Sequence, residues 1–296
     1  MAGLTRALPR FYSDLRETGE MIAIKHTLFA LPFAVISLVT ASSPAWPASR
    51  VWLWVAVAMV SARTAAMSFN RLADHHFDSL NPRTANRALP AGRLSRRFAA
   101  AVMVMASATF VLAASQLNRL CFILALPTLA ILLSYSYAKR FTAGSHFWLG
   151  LSLGIAPVGS WIAVTGEFSW QPVALAAAVA LWVAGFDVIY SLQDESFDRE
   201  YGLHSLPARF GAHHALNLAR LFHMFALIGF AIFAVAAGGG WLRMAAVGAA
   251  GLLLALQHRL VTPDDLSSVD AAFFTANGIL AVVMCLLFLF AKITGG

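Results

Sequence analysis

Nine stretches of the chain are apolar almost from end to end, at roughly 22–41, 51–73, 97–116, 120–138, 147–165, 172–193, 214–236, 241–258 and 271–292. A helix that crosses the hydrocarbon core of a bilayer needs ~20 such residues, because lipid leaves the backbone no hydrogen-bond partner outside its own helix. Chance does not place that many such runs in 296 residues. Hydrophobic residues make up 59% of the chain and charged ones 12%, against ~45–50% and ~25% in soluble domains. Mean hydropathy is +0.72. These values exclude a water-soluble globule, a disordered chain, a coiled coil and a disulfide scaffold. The expected fold is all-α: a polytopic membrane bundle of nine transmembrane helices, spanning 1–296 as a single domain.

The net charge of +7 is explained by the membrane before any nucleic-acid partner is needed, since loops on the cytoplasmic side collect Lys and Arg. If the segments alternate, 16 basic residues fall on the side of the N-terminus and 4 on the other, with Arg63 left inside the second segment. The N-terminus and the loops after even-numbered segments are therefore expected in the cytoplasm. All acidic residues but Glu167 lie at or near that face. The first twenty residues hold charges and no apolar core, so no signal peptide is expected. Leu4, Leu8, Phe11 and Leu15 suit an interfacial helix, which Pro9 opposes. Cys121 and Cys285 sit in apolar runs and read as small buried hydrophobes.

Polar chemistry concentrates in two loops. Asn70, Asp74 and Asp78 end the second segment at i, i+4 and i+8, on one face of a continuous helix. Asp187, Asp194 and Asp198 end the sixth at i, i+7 and i+11. Each Asp-x-x-x-Asp pair is followed by Leu-Pro-Ala, at Leu89–Ala91 and Leu206–Ala208, and the pairs are 120 residues apart. That spacing is four segments, so the copies form two parallel pseudo-repeats around a central cavity. Like charges a turn apart repel, and a divalent cation would offset the repulsion. Mg²⁺ takes oxygen ligands and completes its shell with water and substrate phosphate. The alternative for either pair alone is an ordinary set of interfacial salt bridges.

Basic residues collar the acids: Arg71, Arg83, Arg87 and Arg199, with Tyr135 four residues before Lys139. Arginine gives bidentate bonds to phosphate, lysine a point charge. Arg63 lies seven residues before Asn70, on the same face and deeper; Asp187 lies two turns inside its segment. Ionisable groups at such depth are candidate functional residues. The set suits a substrate with a diphosphate head and a long hydrocarbon tail. His75, His76, His213 and His214 show no zinc spacing. Gly150 and Gly154 form a small-x-x-x-small pattern for close helix packing.

The residues now described resemble the UbiA superfamily of intramembrane prenyltransferases, in its 4-hydroxybenzoate polyprenyltransferase-like, quinone-pathway branch. The likeness rests on Asn70, Asp74 and Asp78 after the second segment, Asp194 and Asp198 after the sixth, and the run from Asn81 to Gly92. It covers roughly 20–290. One departure is Arg71, where the family usually has Asp. The resemblance implies Mg²⁺ held by Asp74, Asp78, Asp194 and Asp198, and diphosphate held by Arg71, Arg83, Arg87, Tyr135, Lys139 and Arg199. It implies Arg63 and Asn70 meeting an aromatic carboxylate acceptor, with Asp187 taking a ring proton or orienting a hydroxyl. The partners would be a polyprenyl diphosphate, that acceptor and the lipid bilayer, and the place the bacterial inner membrane. Two alternatives stay open: another acceptor, such as 1,4-dihydroxy-6-naphthoate, haem, chlorophyllide, homogentisate or a glycerol phosphate, and a membrane anion transporter.

Overall fold

The computed structural model describes residues 17–19 and 27–295. The expected interfacial helix over 1–20 lies, apart from residues 17–19, outside them. The long helices are α1 (Thr27–Ala41), α2 (Ser49–Ala73), α4 (Arg96–Leu117), α5 (Arg119–Ala138), α6 (Ser145–Thr165), α7 (Trp170–Ser191), α10 (Ala212–Ala236), α11 (Trp241–Leu260) and α12 (Asn277–Thr294). Three short helices lie between them: α3 (His75–Leu80), α8 (Glu195–Glu200) and α9 (Leu206–Phe210). Among the described residues, seven helical segments are long and apolar enough to cross a membrane. The chain is therefore a multi-pass membrane protein, and among the described residues seven of the nine expected crossings reach that length and hydropathy. Only 15 residues of α1 are described. In α11, Arg243 in the first turn and Gln257, His258 and Arg259 in the last shorten the apolar stretch.

Local chemistry explains the helix ends. Ser95 caps α4 by accepting from the Phe98 N–H at 3.1 Å, and Asn118 caps α5 by accepting from Cys121 at 2.9 Å. The same Asn118 donates to the Ile162 carbonyl at 2.7 Å, tying the start of α5 to the end of α6. Gly166, at φ +74°, closes α6 in the left-handed conformation that glycine adopts without strain.

Of the seven membrane-length segments, the one that contains α7 is the most deeply buried. It packs between α6 and α10, while α1 lies against α6 and α12, and α2 against α4 and α5. The largest buried side chains, Trp182, Phe33, Phe186, Phe230 and Phe233, fill the space among α1, α7 and α10. The α6–α7 contact depends on small residues. A Cβ at Gly150 would lie 2.2 Å from the Ala180 carbonyl oxygen, and one at Gly154 would lie 2.7 Å from that of Ala176. With little hydrophobic gain between helices in lipid, such backbone-to-backbone approach is what holds them. A π-turn over Ala271–Ala276 opens α12. Asn277 and Gln257 donate to the carbonyls it leaves, at 2.9 Å to Phe273 and 3.0 Å to Ala272.

The two acidic segments do not continue their helices as read from the sequence. α2 ends at Ala73, and Asp74 (φ −89°, ψ 4°) is the hinge before α3. The face survives the break, because the Asp74 N–H still bonds the Asn70 carbonyl and the Asp78 N–H that of Asp74, both at 2.8 Å. After α7, a 3-10 turn over Leu192–Asp194 leads into α8, again with the first aspartate (φ −105°, ψ 4°) at the junction. Each second aspartate is the fourth residue of a six-residue helix. The pseudo-repeat is thus a repeat of hinge and short helix.

Candidate active site

The ends of α2, α5, α6 and α7, with α3, α8 and the loop after α3, enclose a polar chamber of about 310 Å³. Asn70 on α2 donates to Asp74 Oδ2 at 2.7 Å and reaches Ser136 Oγ on α5 at 3.5 Å. Burial and the adjacent Asp78 carboxylate push Asp74 above the usual carboxylate range, against the pull of Arg140, whose Nη2 is 3.4 Å from Asp74 Oδ1. Asp78 Oδ1 accepts from Arg87 at 2.7 Å, with Arg71 4.0 Å from its other oxygen.

The second pair answers the first across the chamber. Asp194 is gripped by Arg83, which donates from Nε at 3.1 Å and from Nη2 at 2.5 Å. This is a fork-to-fork pairing that reaches over 111 residues of chain. Asn81 adds a donor to Asp194 at 3.0 Å, and Arg83 also donates to the Tyr190 hydroxyl at 3.1 Å. Asp198 is fully buried behind the wall rather than lining it, with Oδ1 2.7 Å from Lys139 Nζ.

Of the residues singled out from the sequence, Arg63, Asn70, Asp187, Arg71, Arg83, Arg87, Tyr135, Lys139, Asp74, Asp78 and Asp194 all line this chamber. Arg199 does not join them. Its Nε donates to the Ala208 carbonyl at 3.0 Å, and its Nη2 pairs with Glu195 at 2.8 Å one turn back on α8. The fold of α8 spends that guanidinium on its own loop. Chamber residues that carried no role in the sequence reading include Asn81, Arg140, Tyr190 and His146. His146, in the first turn of α6, sets Nδ1 2.7 Å from Asp187 Oδ2. A histidine opening an apolar segment on the acidic side was the signal available for it.

The donor set fits a hard divalent cation: carboxylates, no thiolate, and a buried Asp78 Oδ2 that has no hydrogen-bond partner. Among the described residues, however, no three carboxylate, imidazole or thiolate side chains converge as a metal cluster. Arginine and lysine stand between the acids instead.

Next to the chamber is a second cavity of about 240 Å³, formed by α2, α4, α5 and α6. Its lining reaches Leu117, Cys121 and Ile162. The two cavities share Arg63, Met67, Asn70, Tyr135, Leu149 and Leu153 as a common wall. An ionic head and a long apolar tail would be accommodated side by side.

Residues 30–279 match the model of the UbiA prenyltransferase family. The chain belongs to that family. It is a membrane-embedded prenyltransferase. It is 28% identical to the 4-hydroxybenzoate octaprenyltransferase of Methylobacillus flagellatus, over 82% of this chain and 81% of that one. Among solved structures it resembles the apo UbiA homologue of Aeropyrum pernix K1, at 34% identity and a TM-score of 0.82, covering 90% of this chain and 98% of that one. A UbiA homologue of Archaeoglobus fulgidus, bound to GPP and Mg²⁺, shares the fold at 17% identity and a TM-score of 0.76, over 94% and 99% of the two chains.

Proposed function

We propose that this UbiA-family prenyltransferase moves a polyprenyl group from polyprenyl diphosphate to an aromatic quinone precursor such as 4-hydroxybenzoate, forming a C–C bond ortho to a ring hydroxyl. The observation that carries the reading is the shared wall between a chamber lined by both acidic segments and a tail-shaped apolar cavity. Only a substrate with a charged head and a hydrocarbon tail uses both.

Asp74, Asp78 and Asp194 would hold Mg²⁺, with Asp198 fixing Lys139 behind them. When bound there, Mg²⁺ supplies positive charge to the diphosphate oxygens, which lowers the barrier to their departure. Arg83, Arg87, Lys139 and Arg140 now neutralise the acids. They are the donors within reach of a diphosphate once the acids take a metal, and Arg71 and Tyr135 add to them. The buried apolar wall keeps water from the allylic cation that ionisation leaves. Arg63, on the wall between head and tail, is placed to hold the acceptor's carboxylate, and Asn70 to orient it. Asp187 accepts the ring proton. We place the chamber at the cytoplasmic face of the bacterial inner membrane, on the charge asymmetry of the loops.

Transport of an anion would need polar side chains reaching both faces. Here the second cavity is lined mostly by Leu, Ala, Met, Val and Ile, with few polar groups to carry an anion onward.

The test is to incubate membranes containing the enzyme with Mg²⁺ and radiolabelled polyprenyl diphosphate. Either 4-hydroxybenzoate or 1,4-dihydroxy-6-naphthoate is added, and label transferred to the ring is measured. Product with 4-hydroxybenzoate that disappears with EDTA, and with Asp74→Ala or Asp194→Ala, is expected. Product with the naphthoate alone would replace the acceptor, and no ring product from either would remove the reading.

A further inference from the structure

His146 is 2% exposed at the polar end of α6, and both of its ring nitrogens are engaged. The backbone N–H of Leu206 donates to Nε2 at 3.2 Å. A nitrogen that accepts an N–H bond carries no proton of its own, so the ring's proton resides on Nδ1. Nδ1 is 2.7 Å from Asp187 Oδ2 and therefore donates to it. One oxygen of Asp187 is thus held by an imidazole whose tautomer is set by the backbone of the second acidic loop. The same loop is clamped to the first half of the chain by a second bond, from the His204 N–H to the Lys139 carbonyl at 2.7 Å.

The packing of α6 on α7 makes the pair possible. Gly150, one turn beyond His146, brings the two backbones so close that its Cβ would meet the Ala180 carbonyl at 2.2 Å. Asp187 follows Ala180 by two turns along α7. Both side chains line the polar chamber beside Tyr135, Leu149 and Leu153, next to the wall shared with the apolar cavity. Asp187 keeps 19% of its side chain exposed there, against 3% for His146.

We propose that His146 is a positioning residue for the transfer step: through Nδ1–H it fixes Asp187 in the orientation that takes the proton from the prenylated ring. This inference rests on the prenyl-transfer reading above. In the step, the ring carbon beside the hydroxyl-bearing carbon gives a π pair to C1 of the prenyl group. The C1–O bond breaks with its pair going to diphosphate. The same ring carbon then releases its proton to the free Asp187 oxygen, and the C–H pair restores the aromatic ring. The proton leaves with the departing diphosphate. An imidazole that holds a carboxylate by one oxygen leaves the other as a base of defined direction, the arrangement by which third groups orient catalytic bases.

The experiment compares acceptor carrying hydrogen or deuterium at the position to be prenylated. In the unaltered enzyme, proton loss follows the slow ionisation, and the isotope effect on kcat is expected near 1. His146→Leu removes the donor. It should lower kcat by about tenfold or more, raise the isotope effect to about 2 or above, and leave KM for prenyl diphosphate within about twofold. His146→Asn keeps an amide donor near the Nδ1 position and should recover kcat to within about threefold, with the isotope effect back near 1. On an Asp187→Asn background, His146→Leu should cost nothing further. Thermal denaturation in detergent reports whether each variant is folded; if His146→Leu is not, folded His146→Asn decides alone, and a kcat loss well beyond threefold with the isotope effect still near 1 overturns the proposal. An unchanged isotope effect in folded His146→Leu, or full additivity with Asp187→Asn, overturns the proposal. Absence of any ring product in the unaltered enzyme would instead overturn the prenyl-transfer reading on which it rests.

Discussion

The charges of the chamber are paired with one another. Asp78 meets Arg87, Asp194 meets Arg83, Asp198 meets Lys139 and Asp74 meets Arg140. The four pairs differ in burial, and that separates their roles. Asp198 has no exposed side-chain surface, whereas Asp74 exposes 29%. Truncating Asp198, which has no contact with solvent, leaves a cavity behind Lys139, whereas truncating Asp74 opens a site that water already reaches. Asp198→Ala is therefore expected to lower thermal stability by many degrees as well as activity. Asp74→Ala should abolish product formation with a small shift in melting temperature. Denaturation in detergent alongside turnover checks both, and equal melting shifts in the two variants would contradict this division. The residue types and spacings of the acids were readable from sequence, because helical periodicity puts i and i+4 together. Their partners were not. Arg83 bridges to Asp194 only because the loop after α3 folds across the chamber, and Arg199 turns away because its own short helix offers Glu195 and the Ala208 carbonyl.

Among the described residues, the nine apolar runs located nine long helices within a few residues, since hydropathy over twenty residues is a strong signal. What it could not carry is how they break and approach. The hinges at Asp74 and Asp194 and the π-turn at Ala271–Ala276 occur inside sequence that reads as continuous helix. Contact between α6 and α7 was legible only as Gly150 and Gly154; that the partner atoms are the Ala180 and Ala176 carbonyls is tertiary. The contact makes a direct prediction. Gly150→Val forces α6 and α7 apart and should destabilise the bundle by about 1–3 kcal/mol, the range for overpacked sites. It should also lower kcat, because His146 and Asp187 share that seam. Gly248→Ala, where a Cβ meets nothing within 4 Å, should leave the melting temperature unchanged or slightly raised. Paired melting curves and initial rates would show it, and a neutral Gly150→Val would mean the seam is not under tension.

Taken as one object, the molecule divides its interior by polarity along the bundle. Ion pairs fill the chamber at one end, and the apolar cavity beside it runs between α2, α4, α5 and α6. This gradient is what an enzyme for a long lipid diphosphate requires, since ionisation is fast only where charge is stabilised and the cation survives only where water is absent. Composition alone showed that such a body lies in a membrane. It did not show that the apolar cavity beside the chamber is formed by α2, α4, α5 and α6. The two ends should therefore be separable by mutation. Ala125 on α5 is 1% exposed and lies on the wall of the apolar cavity, ten residues, or ~15 Å of helix, from Tyr135. A phenyl ring placed there would fill tail space without reaching the chamber. Ala125→Phe is expected to reduce kcat/KM for long polyprenyl diphosphates by about tenfold or more, close to the effect of losing a buried apolar contact of that size. Rates with geranyl diphosphate should stay within about twofold, because a short tail stops before the obstruction, and the Mg²⁺ concentration giving half-maximal rate should not move. A uniform loss across chain lengths would mean that the tail leaves the chamber by another route.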